Sequence, residues 1–113
     1  MSDKLNTHDR LSLALHAAVK RELLSDPERV LQIAKNNLKR WCEKYDTTPR
    51  WASDWYEILN SDVSAVVNVL ESEDEMSTLL RSSSPFTNVI TEQERADIIE
   101  ACKRQEADRT GIK

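Results

Sequence analysis

The chain has 113 residues, of which 39% are hydrophobic and 32% charged, and its formal net charge is −4. This length favours one domain with a modest core, and the apolar fraction excludes disorder along the whole chain. The longest apolar runs span only a few residues, which excludes a membrane-spanning helix. The N-terminal "MSDKLNTHDR" has no apolar signal core, which favours a cytoplasmic protein.

The chain contains a single glycine, Gly111, close to its C-terminus. Antiparallel hairpins usually need glycine at positive φ, so a glycine-free interior favours helices joined by capped turns. The sequence therefore predicts an all-α fold, a compact bundle of about five to six short helices. Residues 1–113 are expected to form a single helical domain, with residues 1–7 and 105–113 as flexible tails.

The first predicted helix covers residues 8–24, because apolar residues recur there every four positions: Leu11, Leu15, Val19 and Leu23. Asp26 is then a good N-cap, and Pro27 suits the first position of the next helix, where its missing N–H costs nothing.

The second predicted helix covers residues 27–45 and has the clearest periodicity in the chain. Its apolar positions follow a three-four spacing: Leu31, Ala34, Leu38, Trp41 and Tyr45. This spacing fits a seam that packs within the chain's own core, and it fits a homodimer contact equally well.

The third and fourth helices follow two polar turns. Thr48 is predicted to cap and Pro49 to start helix three, and the three tryptophans between residues 41 and 55 are expected to form one aromatic corner. "NSD" at 60–62 opens helix four. Its valines also suit a strand, but the apolar spacing does not alternate, so we predict a helix.

Two capping-box patterns predict the last two helices. Ser72 with Glu75 opens helix five, and Thr91 with Glu94 opens helix six. Between them runs "RSSSPFTNVIT". Pro85 forces the residue before it into an extended conformation, so helix five must end there. The apolar residues Phe86, Val89 and Ile90 are expected to anchor this connection to the body of the domain.

Residue patterns that carry chemistry are missing from the sequence. His8 and His16 lack partners at metal-ligand spacing, there is no G-x-S-x-G motif, and no glycine-rich loop exists to hold a phosphate. Cys42 and Cys102 are predicted to be reduced thiols rather than a disulfide. We therefore expect a non-enzyme without metal or cofactor; the competing hypothesis is an enzyme with an unrecognised site.

Charge is distributed unevenly along the chain. Residues 1–50 hold ten Lys/Arg and seven Asp/Glu, whereas residues 51–113 hold six and thirteen. An acidic surface in the second half could meet a basic protein partner, and exposed apolar residues beside it could enter a groove. The predicted protein-binding residues are Glu71, Glu73, Asp74, Glu75, Met76, Leu80, Arg81 and Phe86. The alternative is that these charges are merely solvated and that Val69, Met76, Leu80 and Phe86 belong to the core.

A basic face on helix two supports a second hypothesis, direct contact with nucleic-acid phosphates. Its candidate residues are Arg29, Lys35, Lys39, Arg40, Lys44 and Arg50. The negative net charge argues against DNA binding, and a solvated helix face explains the same residues.

Three segments carry a resemblance to a known family: "LALH" followed by Asp26-Pro27, "NLKRW" at 37–41, and "SSPF" continuing to Glu94-Arg95. Over roughly residues 11–101 the chain resembles small bacterial proteins that occur alone or behind a helix-turn-helix domain. These proteins are described as antitoxin-like or as uncharacterised regulators.

The resemblance implies that this chain is the neutralising partner of a toxin enzyme. It also implies a share in repressing its own operon. Met1 lies just before the first matched helix, so the protein-binding role is favoured over direct repression. The expected partner is a cognate toxin-like enzyme; nucleic acid is the less favoured partner, and no membrane contact is expected.

Overall fold

The computed structural model describes residues 7–110, with side chains over 8–105. Six α-helices and no strand lie within this range, which confirms the predicted all-α bundle. They are α1 (Thr7–Ser25), α2 (Pro27–Cys42), α3 (Arg50–Leu59), α4 (Val63–Glu71), α5 (Glu75–Arg81) and α6 (Glu92–Thr110). Of the predicted tails, residues 1–6 and 111–113 lie outside the described range.

The core is built where the first five helices and the α5–α6 connection converge. Trp55 of α3 lies at its centre with no exposed surface. The other fully enclosed large side chains come from four helices and the connection: Leu23, Leu38, Leu59, Leu70, Val30, Val66 and Pro85. Trp41 and Trp51 pack against this core from its edge. The ring that meets Trp55 edge-on is Phe86, at 5.5 Å between centroids.

Several predicted helix starts are confirmed. The Asp26 carboxylate accepts from the Arg29 N–H, and Pro27 is the first residue of α2. Asp62 caps α4 by accepting from the Ala65 N–H at 3.0 Å. The Thr91 hydroxyl accepts from the Glu94 N–H at 3.0 Å and so begins α6.

Other boundaries were wrong by a few residues. Helix α2 ends at Cys42, earlier than predicted. The Tyr45 N–H then donates to the Cys42 carbonyl and closes a tight turn. Tyr45 therefore does not continue the apolar seam and is half exposed. Pro49 itself is the extended N-cap of α3, and Thr48 does not cap it. At α5 the cap is Asp74 rather than Ser72, because Ser72 is still the extended residue that ends α4.

The apolar stripe of α2 faces the chain's own core. Val30, Ala34 and Leu38 have no exposed surface, while Leu31 and Trp41 pack at its margin. The packing within one chain therefore accounts for this seam without a second copy. Among residues 7–110, no helix is both long enough and apolar enough to cross a lipid bilayer.

Candidate partner-binding surface

The start of α5 gathers acidic side chains at the surface. Asp74 accepts from the Ser77 N–H at 2.7 Å and from the Ser72 hydroxyl at 2.9 Å, and these hydrogen bonds lower the pKa of its carboxyl group. Glu73 and Glu75 flank it, and both are exposed. Neither forms an ion pair within 4 Å among the described residues, although Glu73 lies close enough to Arg81 to raise the pKa of that guanidinium against the lowering effect of burial. Glu71, at the end of α4, pairs instead with Lys20 of α1 at 2.7 Å. Two free carboxylates therefore remain beside the Asp74 cap.

An apolar cleft lies between this helix and the start of α3. Met76 and Leu79 of α5 are 58% and 64% exposed, an unusual degree for side chains of this size, and Trp51 faces them from α3. The cleft has a volume of about 340 Å³, and its far rim carries the Arg50–Asp54 ion pair at 3.3 Å. We call Trp51, Met76 and Leu79 with this rim the α3–α5 cleft.

Three of the predicted protein-binding residues are buried, so their assignment to the surface was wrong. Leu80, Arg81 and Phe86 are only 6%, 4% and 3% exposed. Neighbouring residues of a helix project in different directions, so Leu80 faces the core while Leu79, one position earlier, faces solvent. Phe86 fills the core against Trp55. Val69 is buried as well, so of the four apolar candidates only Met76 is exposed.

The buried Arg81 fastens α5 to the end of α4. One terminal nitrogen of its guanidinium donates to the Val69 carbonyl and to the Ser72 carbonyl, each at 2.7 Å. These carbonyls lie at a helix C-terminus, where no further helical turn supplies donors. Burial lowers the pKa of Arg81, partly offset by the nearby Asp74 carboxylate, and the group remains a cation at neutral pH. Arg81 thus holds the end of α5 against the end of α4.

The connection between α5 and α6, residues 82–91, is held by side chains of α1 and α2, and the end of α5 just before it is held by a side chain of α3. His16 of α1 contacts the Ser84 hydroxyl at 2.8 Å. Asn37 of α2 donates to the carbonyls of Pro85 and Thr87 at 2.8 and 3.0 Å. Trp55 of α3 donates to the Leu80 carbonyl at 3.0 Å. The segments "LALH", "NLKRW" and "SSPF" therefore meet at one buried polar junction.

A turn at residues 86–89 completes this connection. The Val89 N–H donates to the Phe86 carbonyl at 3.2 Å, and Asn88 has φ of 76°. Asparagine tolerates this left-handed conformation better than most residues, which explains how the chain turns here without glycine.

The imidazole of His16 is neutral in this junction. Its Nδ1–H donates to the Ser12 carbonyl at 2.7 Å, which leaves Nε2 to accept from Ser84. Burial lowers the pKa of His16, in agreement with that protonation state. A histidine beside a serine hydroxyl also has the spacing of a general base and nucleophile. Here the Ser84 oxygen also accepts from the Phe86 N–H at 3.3 Å, so we interpret the pair as a structural clamp.

The predicted basic face divides into paired and unpaired residues. Arg29 contacts Glu22 and Asp26, Arg50 contacts Asp54, and Arg40 donates to the Asn37 side chain at 2.7 Å. The remaining lysines form no ion pair with the described residues: Lys35, Lys39 and Lys44. Lys35 is half-buried, and Lys44 lies past the end of α2.

No group of three or more His, Cys, Asp or Glu side chains within the described part of the chain is arranged to hold a metal ion. Cys42 and Cys102 are both free thiols with intermediate exposure.

The sequence did not predict the places of four residues in the cleft and the junction. Trp51 was expected only in the aromatic corner of the core, and Leu79 was not among the predicted protein-binding residues, yet both line the cleft. The sequence does contain a signal for His16 and Asn37. Each is a polar residue within the buried stripe of its helix, three positions from Val19 and from Ala34, respectively. A polar side chain at such a position requires a buried hydrogen-bond partner.

Comparisons with protein-family models, with curated proteins and with solved structures gave no match to this chain.

Proposed function

We propose that this chain is a non-catalytic bacterial interaction protein of the antitoxin type, which works in the cytoplasm and neutralises a toxin enzyme by binding it. The observation that carries the proposal is the surface of α5. Two unpaired carboxylates, Glu73 and Glu75, lie beside the exposed apolar residues Met76 and Leu79. The resemblance to antitoxin-like proteins supports the same reading.

This surface combines the two contributions that a protein interface needs. Apolar side chains supply affinity when a partner covers them, and unpaired charges steer a partner of opposite sign and reject others. The chemistry therefore favours a partner with a basic surface around an apolar contact. Many nucleic-acid-cleaving enzymes are basic at their substrate sites, so an acidic cover is a direct way to block one.

Purification of the tagged chain from its host, at low and then raised salt, tests the proposal. We expect one enzyme to co-purify in a fixed ratio and its activity to be inhibited in the complex. An enzyme that remains fully active in the complex, or the recovery of the chain without a protein partner, would count against neutralisation.

The double charge reversal Glu73→Lys/Glu75→Lys is expected to raise the Kd for this partner at least ~10-fold and to weaken its salt dependence. The reason is that both carboxylates are exposed and form no ion pair with residues 8–105. Isothermal titration against the purified partner measures the effect. The matched control is Glu43→Lys/Asp46→Lys, which changes net charge equally in the exposed α2–α3 loop. Equal losses for both pairs would show that only net charge matters.

A second candidate function is binding to DNA through α2, favoured by Lys35 and Lys39, which form no ion pair with the residues that the structure describes. On this alternative the chain shifts a duplex from its own promoter region at low salt. Neutralising Lys35, Lys39 and Arg40 to glutamine should abolish the shift and reduce the slope of log K against log salt by about 2–3. The absence of any shift at low salt would eliminate this candidate.

A further inference from the structure

We infer that the α3–α5 cleft receives one amphipathic helix of the partner protein, with its apolar side chains between Trp51 and Leu79 and its basic residues against Glu73 and Glu75. This inference rests on the proposed function for its biological setting and specifies which surface and which partner element are used.

The shape of the cleft favours a helix as the occupant. Its two walls are themselves helices, the start of α3 and the two turns of α5. Side chains that project from two neighbouring helices leave a groove into which the ridge of a third helix fits. Met76 and Leu79 are three positions apart, so they lie on one face of α5 and present a continuous apolar wall. A partner helix fills such a groove with apolar side chains at positions i, i+3 or i+4, and i+7 of its own sequence.

Charge around the cleft favours a basic helix. Asp54 lines the cleft, and the exposed Glu75 lies next to Met76 and four positions before Leu79, on the same face of α5. Glu73 and Asp74 directly precede it and are exposed as well. Two guanidinium groups oppose them: Arg50 is already paired with Asp54, and Arg81 is buried under α5, where it reaches Val69 and Ser72. The exposed rim at the α5 end is therefore acidic. A lysine or arginine next to the apolar anchors of the incoming helix would meet Glu73 or Glu75 at this end.

The cleft also stands apart from the buried junction of His16, Asn37 and Ser84. Leu80 points inward from the same helix, and Trp55 donates to its carbonyl, so the floor of the cleft is packed against the core. A partner helix can thus be bound without opening the core.

The cleft is tested first with synthetic helical peptides. One carries leucine at i, i+3, i+4 and i+7 with lysines flanking this face, and its matched counterpart has glutamates in place of the lysines. In two-dimensional NMR spectra of the full chain, the lysine peptide should shift the Trp51 indole and the methyl signals of Met76 and Leu79. It should also bind at least ~10-fold more tightly than the glutamate peptide. Equal affinities, or shifts confined to other residues, would overturn the inference.

The substitution Leu79→Lys provides the test with the natural partner. It should weaken partner binding at least ~10-fold, because a charge then replaces a central apolar anchor. Leu24→Lys is the control, since Leu24 is 58% exposed at the end of α1, away from this cleft. Both variants should keep wild-type thermal stability because both positions are solvent-accessible.

The outcomes separate the two proposals. If Leu79→Lys leaves the partner complex intact while the Glu73/Glu75 reversal weakens it, the cleft assignment is wrong and the proposed function stands. If the lysine peptide binds the cleft but no enzyme is neutralised, the cleft assignment stands and the proposed function fails. If wild-type chain self-associates and Leu79→Lys abolishes that association, the occupant is a second copy, and the inference of a foreign helix is overturned.

Discussion

Replacing Arg81 with alanine is expected to lower the free energy of unfolding by about 3–5 kcal/mol. The guanidinium is 4% exposed and donates to the carbonyls of Val69 and Ser72. Alanine would leave both oxygens without this donor inside the protein and would leave a cavity beneath α5. For a domain of this length that loss is a large share of total stability. Urea denaturation followed by tryptophan fluorescence measures it.

The control for this change is Arg50→Ala. Arg50 is exposed and forms one surface ion pair with Asp54, so its loss should change stability by less than about 0.5 kcal/mol. Arg81→Lys should fall between the two, because a single ammonium cannot reproduce the fork geometry of the guanidinium. A loss below about 1 kcal/mol for Arg81→Ala would mean that these hydrogen bonds do not hold α5 in place.

Replacing Asn37 with aspartate should cost about 3 kcal/mol or more, although the two side chains have nearly the same shape. The amide nitrogen of Asn37 donates to the carbonyls of Pro85 and Thr87 in a site that is 3% exposed. An aspartate would direct a negative oxygen at two carbonyl oxygens. Arg40, which already contacts the Asn37 oxygen at 2.7 Å, offsets only part of this repulsion.

Asn36→Asp makes the same chemical change one position away, on the exposed side of α2. Its effect should stay within about 0.5 kcal/mol. Equal effects of the two substitutions in urea denaturation would contradict the clamp that we describe between α2 and the α5–α6 connection.

Local chemistry made much of the fold predictable. Asp26 with Pro27, and Thr91 with Glu94, determine helix starts through side chains within three residues, so short-range pattern reading locates them. The α2 boundary was harder, because Tyr45 continues the apolar spacing although the chain has already turned at Cys42. Spacing alone does not reveal that a helix has ended.

The candidate surface was only partly predictable, for a different physical reason. Leu79 and Leu80 are adjacent and chemically identical, and a helix of two turns gives no periodicity that separates the inward from the outward one. Arg81 looked like a surface charge because its partners are carbonyls at the end of another helix, Val69 and Ser72. The sequence does not show which backbone carbonyls lack a hydrogen-bond donor. Only the packing of α5 on α4 therefore reveals where the guanidinium binds.

The junction of His16, Asn37 and Ser84 also explains why "RSSSPFTNVIT" is ordered. The serines and the proline suggest a loose connection, yet its carbonyls and hydroxyls are bonded to two different helices. This order fixes Phe86 and Trp55 against each other and supports α5 from within. The junction therefore holds the segment that follows α5 against α1 and α2.

The measurement that tests the central proposal most directly is a neutralisation assay in growing cells. The co-purified enzyme is expressed alone, with the wild-type chain, and with the Leu79→Lys variant at matched protein levels. We predict growth arrest with the enzyme alone, recovery with the wild-type chain, and arrest again with the variant. Continued arrest in the presence of abundant, folded wild-type chain would contradict an antitoxin role for this protein.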